Sequence, residues 1–491
     1  MKYEDILELL LREISPEVTA DSRNISPGSI FVAIPGTQFD GHRFIEQAVS
    51  AGAEYVVHSE ALTESQEQLL AAKSCSPVKV DDTSIALGRM AQAAYGNPAE
   101  KLTCLTVTGT NGKTTTAYIV RAVMNHAGVK CGMISTVCCD DCSAKGPSAS
   151  TMTTPDQLTI ARLMAEMVKN GAKAVVSESS SHAISQNRIA GIDFAAAAFT
   201  NLTGDHLDYH KTMKNYLAAK SRLFENLSGG AAAVLNAESA ESKYIARRTP
   251  AKIIQYSTAG DLLAESYESI LAENIQLLPD RTSYTISICG ESFPIDTPLT
   301  GRHNVSNQLA AAGLCLGAGL SPAQIAAGLQ TISIVPGRLE RVDAGQDFTV
   351  LVDYAHTDDA LKNVLVSLKR LPHNRLIVVF GCGGDRDRSK RPRMAAAAAE
   401  YADVVIVTSD NPRSEDPLAI IEDIKPGLGT KSENALIEPD RKTAIKTAVQ
   451  TALAGDIILI AGKGHETYQV IGDDTIHFDD RETARQFLEE L

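Results

Sequence analysis

One stretch constrains this chain more than any other: Val107-Thr108-Gly109-Thr110-Asn111-Gly112-Lys113-Thr114-Thr115-Thr116. It follows a short apolar, β-branched run, Leu102 to Val107, and opens a helical pattern from Thr115 to about Ala127 that Gly128 closes. Strand, glycine loop and helix is the order a phosphate cradle requires, because a helix N-terminus presents unpaired N–H groups to an anion. Gly109 and Gly112 let backbone N–H groups approach phosphate oxygens. Lys113 reaches for the outer phosphates, and the Thr114 hydroxyl is placed to hold a magnesium ion. The usual loop of this kind carries a glycine where Val107 stands. Gly-Lys-Thr directly after a strand is still far more specific than an ordinary glycine-rich turn, so ATP binding is the working premise.

A chain of 491 residues has room for roughly three domains. Its 46 basic and 60 acidic residues leave a net charge of -14, which repels phosphate backbones and anionic membrane surfaces. Nucleic acid is therefore not an expected partner, and an anionic ligand must meet a locally basic site. Residues Met1 to Arg12 mix charge with leucine at helical spacing and read as an amphipathic helix, not a signal peptide. No apolar run is long enough to span a bilayer. The nine cysteines are odd in number and mostly sit in apolar segments, as reduced thiols of a cytoplasmic protein would.

Along the chain, Asp21 to Ala53 reads as turn, strand, turn and helix, a small α/β unit with polar groups at Ser22, Arg23, Asp40, Gly41 and His42. A helix around Ala86 to Tyr95 ends at Gly96-Asn97-Pro98, a first boundary. Short apolar runs at Ala174 to Glu178, Phe194 to Thr200 and Ala231 to Asn236 suit strands buried on both faces. A helix between Leu320 and Ser333 leads to Pro336-Gly337-Arg338, the second boundary. Beyond it, strands (Phe348 to Val352, Arg375 to Phe380, Val404 to Val407, Ile457 to Ile460) alternate with helices from Asp358, after Pro392 and from Pro417. That alternation predicts a parallel, Rossmann-like sheet. The expected fold is α/β with three domains: a small N-terminal α/β domain (1–97), a central P-loop ATPase-like domain with a mostly parallel sheet (98–335) and a C-terminal Rossmann-like domain (336–491).

Polar clusters end these strands, where open α/β sheets bind ligands. Glu178 is followed by Ser179-Ser180-Ser181-His182, and Thr200 to His210 packs two histidines and two aspartates into six residues. Taken alone, the second loop reads equally as a hydrogen-bonded turn. With Thr114 it suggests a magnesium and phosphate site. Asn304 and Asn307 lie one helical turn apart, so both amides can face one ligand, although capping explains either. Three further clusters, Asp353 to His356, Gly383 to Arg388 and Asp410 to Arg413, follow three strands of the last domain. Cys138, Cys139 and Cys142 have no second Cys or His pair at zinc-finger distance, and a hairpin with free thiols is expected there.

These residues resemble, over essentially the full length, the Mur ligases, most closely the branch that adds the third residue of the peptidoglycan stem peptide. The ordered set carrying the likeness is Asp21-Ser22-Arg23, Gly109 to Thr114, Thr153-Thr154-Pro155, Asn201-Leu202-Thr203, Asp205 to Asp208, Tyr216 to Lys220, Pro336-Gly337-Arg338, Asp353 to His356, Asp410 to Arg413 and Gly462 to Glu466. The resemblance implies ATP-dependent phosphorylation of the D-glutamate carboxylate of UDP-N-acetylmuramoyl-L-alanyl-D-glutamate. The amine of a diamino acid, meso-diaminopimelate, would then attack the acyl phosphate. Catalysis would fall to Lys113, Glu178, His206 and Lys220. Magnesium would be held by Thr114, Glu178, His206 and Lys220, the last as a carbamate. Gly109, Thr110, Asn111, Gly112, Lys113, Thr114, Thr115, Asn304, Asn307, Arg341, Asp353 and His356 would surround ATP. Ser22, Thr153, Thr154, Ser180, Gln186 and Arg188 would contact the UDP-linked dipeptide. Arg386, Asp410, Asn411, Pro412, Arg413, Gly462 and Glu466 would contact diaminopimelate. Without the resemblance Lys220 reads as a solvated helix residue. A monomer is expected.

The sequence departs from the family's pattern at Asp358, where proline is usual, in the loop around Glu178 and in the segment Cys138 to Ser150. Competing readings are an L-lysine-adding ligase, another Mur or folylpolyglutamate-type amide ligase, and a nucleotide-binding protein without ligase activity.

Overall fold

The computed structural model of the chain describes residues 2–36, 39–150, 152–278, 281–332 and 334–491. Met1 of the expected first helix, Thr37 and Gln38 of the first α/β unit, and Ser333 at the end of an expected helix lie outside the described residues. Three main sheets, each drawn from its own stretch of chain, organise the molecule.

The first sheet is parallel, in the order Val18–Thr19, Ile30–Val32, Tyr55–His58, Ser76–Lys79. The amphipathic N-terminal helix is Tyr3–Leu10, with Ile6 and Leu10 buried. Its Tyr3 hydroxyl donates to the Ala86 carbonyl at 2.8 Å. Ala86 belongs to the helix Thr83–Ala94, started by the Asp82 carboxylate accepting from two backbone N–H groups.

The second sheet has eleven strands. Its centre runs parallel: Lys252–Ser257, Ala232–Asn236, Ala196–Phe199, Thr103–Thr108, Ala174–Glu178 and Cys131–Ile134. Alanine at 196–198 and 232–233 keeps this surface low, so the helix Arg302–Gly317 settles closely on it. A Cβ on Gly313 would lie 2.4 Å from Val234, and one on Gly317 would lie 2.8 Å from Ala196 and Ala232. The strand Glu268–Leu277 joins the parallel set, and Thr282–Ile288 and Glu291–Thr297 extend the sheet antiparallel beyond it. Sequence reading passes over all three. Thr282–Ile288 alternates buried and half-buried residues, so only every second position is apolar, and a search for continuous apolar runs misses it. On the opposite edge Cys138–Asp140 and Ser148–Ala149 form the expected hairpin, and all nine thiols are free.

The third sheet runs in the order Glu340–Val342, Thr349–Asp353, Ile457–Ala461, Leu376–Phe380, Val404–Val407, Leu436–Ile437, parallel except for the first. Buried clusters cover both of its faces. Strands and helices fall where alternation predicts, except that the helix expected after Pro392 is Lys390–Tyr401, with the proline inside its first turn. Proline is tolerated there because first-turn N–H groups have no helical partner. The last parallel strand, Ile457–Ala461, inserts between the first two. That crossover brings the loops after Asp353, Phe380, Val407 and Ala461 to one edge. Among the described residues no helix is long and apolar enough to cross a membrane.

Candidate active site

The phosphate loop leaves the strand Thr103–Thr108, and its helix is Lys113–His126, two residues longer at its start than the periodicity predicts. Gly112, at φ 87°, makes that start possible. Both loop glycines are also closely packed. A Cβ on Gly109 would sit 1.9 Å from Thr200 Oγ1, and one on Gly112 would sit 2.4 Å from Asn307 Oδ1. The next strand's end holds the loop's shape. Asn201 accepts from the Thr110 N–H through its carbonyl and from the Asn111 N–H through Oδ1, both at 2.9 Å. Thr200 Oγ1 donates to the Asn111 carbonyl at 2.6 Å. Asn304 and Asn307, on the helix Arg302–Gly317, are buried and bonded to each other at 3.2 Å, with Asn307 against the loop.

Cations converge here inside an acidic protein. Lys113 Nζ donates to the carbonyls of Gly109 (2.9 Å) and Thr110 (2.8 Å), and Lys220 Nζ donates to the same Gly109 carbonyl at 2.8 Å. Lys220 is fully buried on the helix Met213–Glu225, against its expectation as a solvated residue. Burial, then the neighbouring Lys113 ammonium, pushes its pKa well below the ordinary lysine range, and Asp205 opposes them. Desolvation likewise lowers Lys113, against Glu178 and Asp205. Thr114 is buried, and its Oγ1 accepts from the Arg338 guanidinium at 3.1 Å. Thr115 is buried beside it.

Glu178 is fully buried at its strand's end, where Oε1 accepts from the Thr136 N–H at 2.8 Å and Oε2 from the Thr136 hydroxyl at 3.0 Å. Each carboxylate oxygen keeps a lone pair for a further partner. His206 holds a left-handed φ of 55° and lies 3.5 Å from Asp205, its ring edge-on to His182 at 4.8 Å. The side chains of Leu207 and Asp208 lie outside the described residues. A hard divalent cation fits this donor set: an aimed carboxylate, the Thr114 hydroxyl and an imidazole.

A polar chain runs outward from Glu178. Thr154 Oγ1 donates to the Glu178 carbonyl (2.7 Å) and accepts from the Ser180 N–H (3.1 Å), and the Thr153 and Thr136 hydroxyls are hydrogen-bonded at 3.1 Å. Arg188 donates to the Thr154 carbonyl at 2.9 Å and forks onto Gln186 Oε1 at 3.0 and 2.7 Å. Thr153, Thr154, Ser180, Gln186 and Arg188 thus form one connected surface. Ser22 stands apart on the first sheet's unit, its hydroxyl on Gln47 at 3.2 Å. Nearby, Asp40, His42 and Glu60 come close enough to suggest a metal. His42 Nδ1 bonds Asp40 at 2.7 Å, and Nε2 accepts from the Ser59 N–H at 3.1 Å, so both ring nitrogens are spent on the turn.

At the third sheet's edge Asn411 is an organising residue. Its Oδ1 accepts from Lys463 Nζ (2.9 Å) and the Val470 N–H (3.1 Å), and its Nδ2 donates to Glu466 Oε2 at 2.9 Å. Pro412 packs on Gly384, where a Cβ would meet the Pro412 carbonyl at 1.8 Å. Asp410 closes on Gly462, whose Cβ position lies 2.5 Å from Asp410 Oδ2. Arg413 donates to the Gly384 carbonyl at 2.8 Å. Among the described residues Glu415 and Asp416 are engaged elsewhere than with Arg413. Arg391 takes Glu415 at 2.8 Å, and Asp416 caps the helix Pro417–Ile424. Arg386 is exposed beside them. Asp353 spends both oxygens on the N–H groups of Leu339 (2.7 Å) and Ala355 (2.8 Å), and His356 Nδ1 bonds the Tyr354 carbonyl at 3.0 Å.

Arg341 is not brought to the phosphate loop by any described contact. It pairs with Asp343 at 3.1 Å on the edge strand. The arginine that arrives is Arg338, three residues earlier, because the turn at Gly337 (φ 63°) packs against Gly464 and His465 and aims the next side chain inward. Pro336-Gly337-Arg338 is legible in the sequence as a boundary and as one motif of the resemblance, but neither reading assigns Arg338 a place at ATP. Thr136 and Arg441 carried no signal of their own, and Lys463 was only one letter of the Gly462 to Glu466 motif, since each matters through a partner distant in the chain.

Three family profiles match the chain: "Mur ligase family, catalytic domain" over residues 16–95, "Mur ligase middle domain" over 107–315 and "Mur ligase, glutamate ligase domain" over 337–464. The chain is 44% identical to the UDP-N-acetylmuramoyl-L-alanyl-D-glutamate--2,6-diaminopimelate ligase of Geobacillus thermodenitrificans (strain NG80-2), over 97% of this chain and 96% of that one. It is 41% identical to the protein of the same name from Solibacter usitatus (strain Ellin6076), over 98% and 96%. A solved structure of a ligase so named superposes with a TM-score of 0.67 at 32% identity, covering 96% of this chain and 94% of that one.

Proposed function

This chain belongs to the Mur ligase family, and from that premise we propose that it is the ATP-dependent ligase joining meso-2,6-diaminopimelate to the D-glutamate of UDP-N-acetylmuramoyl-L-alanyl-D-glutamate in peptidoglycan precursor synthesis. The observation that carries the choice of amino acid is the Arg413 fork, fixed by the Gly384 carbonyl, beside the Asn411 and Glu466 pair. A diamino dicarboxylate needs both at its distal end: a planar bidentate cation for the carboxylate and an anionic acceptor for the ammonium. L-Lysine offers no distal carboxylate and leaves the guanidinium unpaired, a penalty that discriminates strongly.

A carboxylate is a poor electrophile until phosphorylation supplies a leaving group. The D-glutamate oxygen attacks the γ-phosphorus of ATP, ADP departs, and the diamino acid's neutral amine displaces phosphate from the acyl carbon with loss of a proton. In this reading Lys113 turns from the loop carbonyls to the transferring phosphoryl group, and Arg338 adds a second cation. Magnesium, when bound by Thr114, Glu178, His206 and Lys220, neutralises phosphate charge. Lys220 serves that role as a carbamate. Its depressed pKa supports this, because only a neutral amine attacks CO₂.

Thr153, Thr154, Ser180, Gln186 and Arg188, with Ser22, receive the UDP-linked dipeptide. We take the domains as 1–97, 98–335 and 336–491, the chain as a monomer and its setting as the cytoplasm. The test is phosphate release that requires both the UDP-dipeptide and the diamino acid. Given equal meso-diaminopimelate and L-lysine, the protein should choose the former by orders of magnitude, and Arg413→Ala should erase most of that preference. Equal incorporation of L-lysine refutes the assignment.

A further inference from the structure

Lys463 is fully buried and its ammonium has two partners: Nζ donates to the neutral Asn411 Oδ1 at 2.9 Å and pairs with Glu466 Oε2 at 3.5 Å. The same Glu466 oxygen accepts from Asn411 Nδ2 at 2.9 Å, so lysine, amide and carboxylate close a triangle. The charged and titratable groups around Glu466 are Asp410 after the strand Val404–Val407, Arg441 on the helix Arg441–Thr451, Lys463 in its own loop, Tyr354 after Thr349–Asp353, Tyr468 on a hairpin of Tyr468–Ile471 with Asp474–His477, and Arg413, which faces the same Tyr468. Arg441 is already neutralised by Asp480, both side chains being fully buried.

We propose that Lys463 is a positioning residue that keeps Glu466 ionised and aimed beside Asp410, so that it meets the distal ammonium of the incoming amino acid while Arg413 meets the carboxylate. This rests on the reading that Glu466 receives that ammonium. Two carboxylates in a half-buried pocket would otherwise share a proton. Burial, and then Asp410, raise the Glu466 pKa, and Lys463 is the cation that opposes them. Asn411 transmits geometry as well: its amide orientation is set by Lys463 on one side and presents Nδ2 to Glu466 on the other.

The sign follows. Without the lysine charge the Glu466 pKa rises further, so its anionic form is lost as pH falls and regained as pH rises. Lys463→Gln keeps a donor for Asn411 and removes only the charge. In the full-length protein, KM for meso-diaminopimelate should rise about tenfold or more at the acid end of the working range, and the rise should shrink steadily as pH increases. KM for ATP and for the UDP-dipeptide should stay within about twofold. A Lys463→Gln protein whose diaminopimelate KM is unchanged, or raised equally at every pH, overturns the proposal, as does an equal rise in all three KM values. If Lys463→Gln does not fold, Lys463→Gln/Glu466→Gln, which removes both members of the ion pair together, is compared with Glu466→Gln alone. Equal pH profiles for that pair support the proposal, and a further loss in the double variant overturns it. Glu466→Gln tests the underlying reading separately. If it leaves diaminopimelate KM unchanged, the ammonium is bound elsewhere, whatever Lys463 does.

Discussion

Replacing Asp480 by alanine strands a guanidinium at the centre of the third sheet's edge. Arg441 donates through Nε and Nη2 to the two Asp480 oxygens, each at 2.7 Å, and both side chains are fully buried. Breaking such a pair from one side costs about 3–5 kcal/mol, chiefly from the charge left without a partner. For a domain of about 150–250 residues, each kcal/mol moves the midpoint by about 2–4 °C, so a fall of about 6–20 °C is expected in the transition of this part of the chain. The effect should reach the site, because Arg441 also donates to the carbonyls of Ser409 (3.2 Å) and Ala461 (3.0 Å), the residues just before Asp410 and Gly462. Calorimetry should show the shifted transition, and KM for the diamino acid should rise while KM for ATP holds. Asp480→Asn, which keeps an acceptor but not the charge, should lose less. A stability loss below about 1 kcal/mol for Asp480→Ala would show that solvent or another anion compensates Arg441, and would refute the reasoning.

Gly112→Ala should weaken nucleotide binding about tenfold or more, since its Cβ meets Asn307 Oδ1 at 2.4 Å, whereas Gly128→Ala, with nothing within 4 Å, should cost about 1 kcal/mol of stability and no affinity. Calorimetric titration with ADP separates the two. Arg338→Met should lower kcat by orders of magnitude while Arg341→Met stays near the parent, and steady-state kinetics showing the reverse would reinstate Arg341. Lys220→Ala should abolish ligation with the fold intact, and protein prepared free of CO₂ should regain activity on adding bicarbonate. Full activity of Lys220→Ala would end the carbamate reading. His303 and His465 are lowered from 6.5 to about 4 by burial, so the unfolded chain takes up protons that the folded one refuses. Stability should therefore fall as pH drops from 6.5 towards 4, and chemical denaturation across that window should show about half of this slope in a His465→Gln variant, with His303 supplying the remainder.

What the sequence determined by itself was whatever is written locally. The strand, glycine loop and helix around Gly109 to Thr114, the parallel strands with both faces apolar, and the polar strand ends at Glu178, Asp353 and Asp410 each follow from a few consecutive residues and the periodicity around them. One-faced strands such as Thr282–Ile288 escaped because a hydrophobic pattern at every second position is weaker evidence than a continuous run. Partnership at a distance was decided only by the tertiary structure. Lys220 looks like any helical lysine until the helix Met213–Glu225 is laid against the phosphate loop and the Gly109 carbonyl takes its ammonium. Arg338 rather than Arg341 faces Thr114 because the turn at Gly337 packs on Gly464, more than a hundred residues away. Insertion of Ile457–Ala461 between two earlier strands sets Lys463 and Glu466 beside Asn411. Charge, burial and hydrogen bonding act through space, so residues whose roles lie in those terms show them only once the chain has folded.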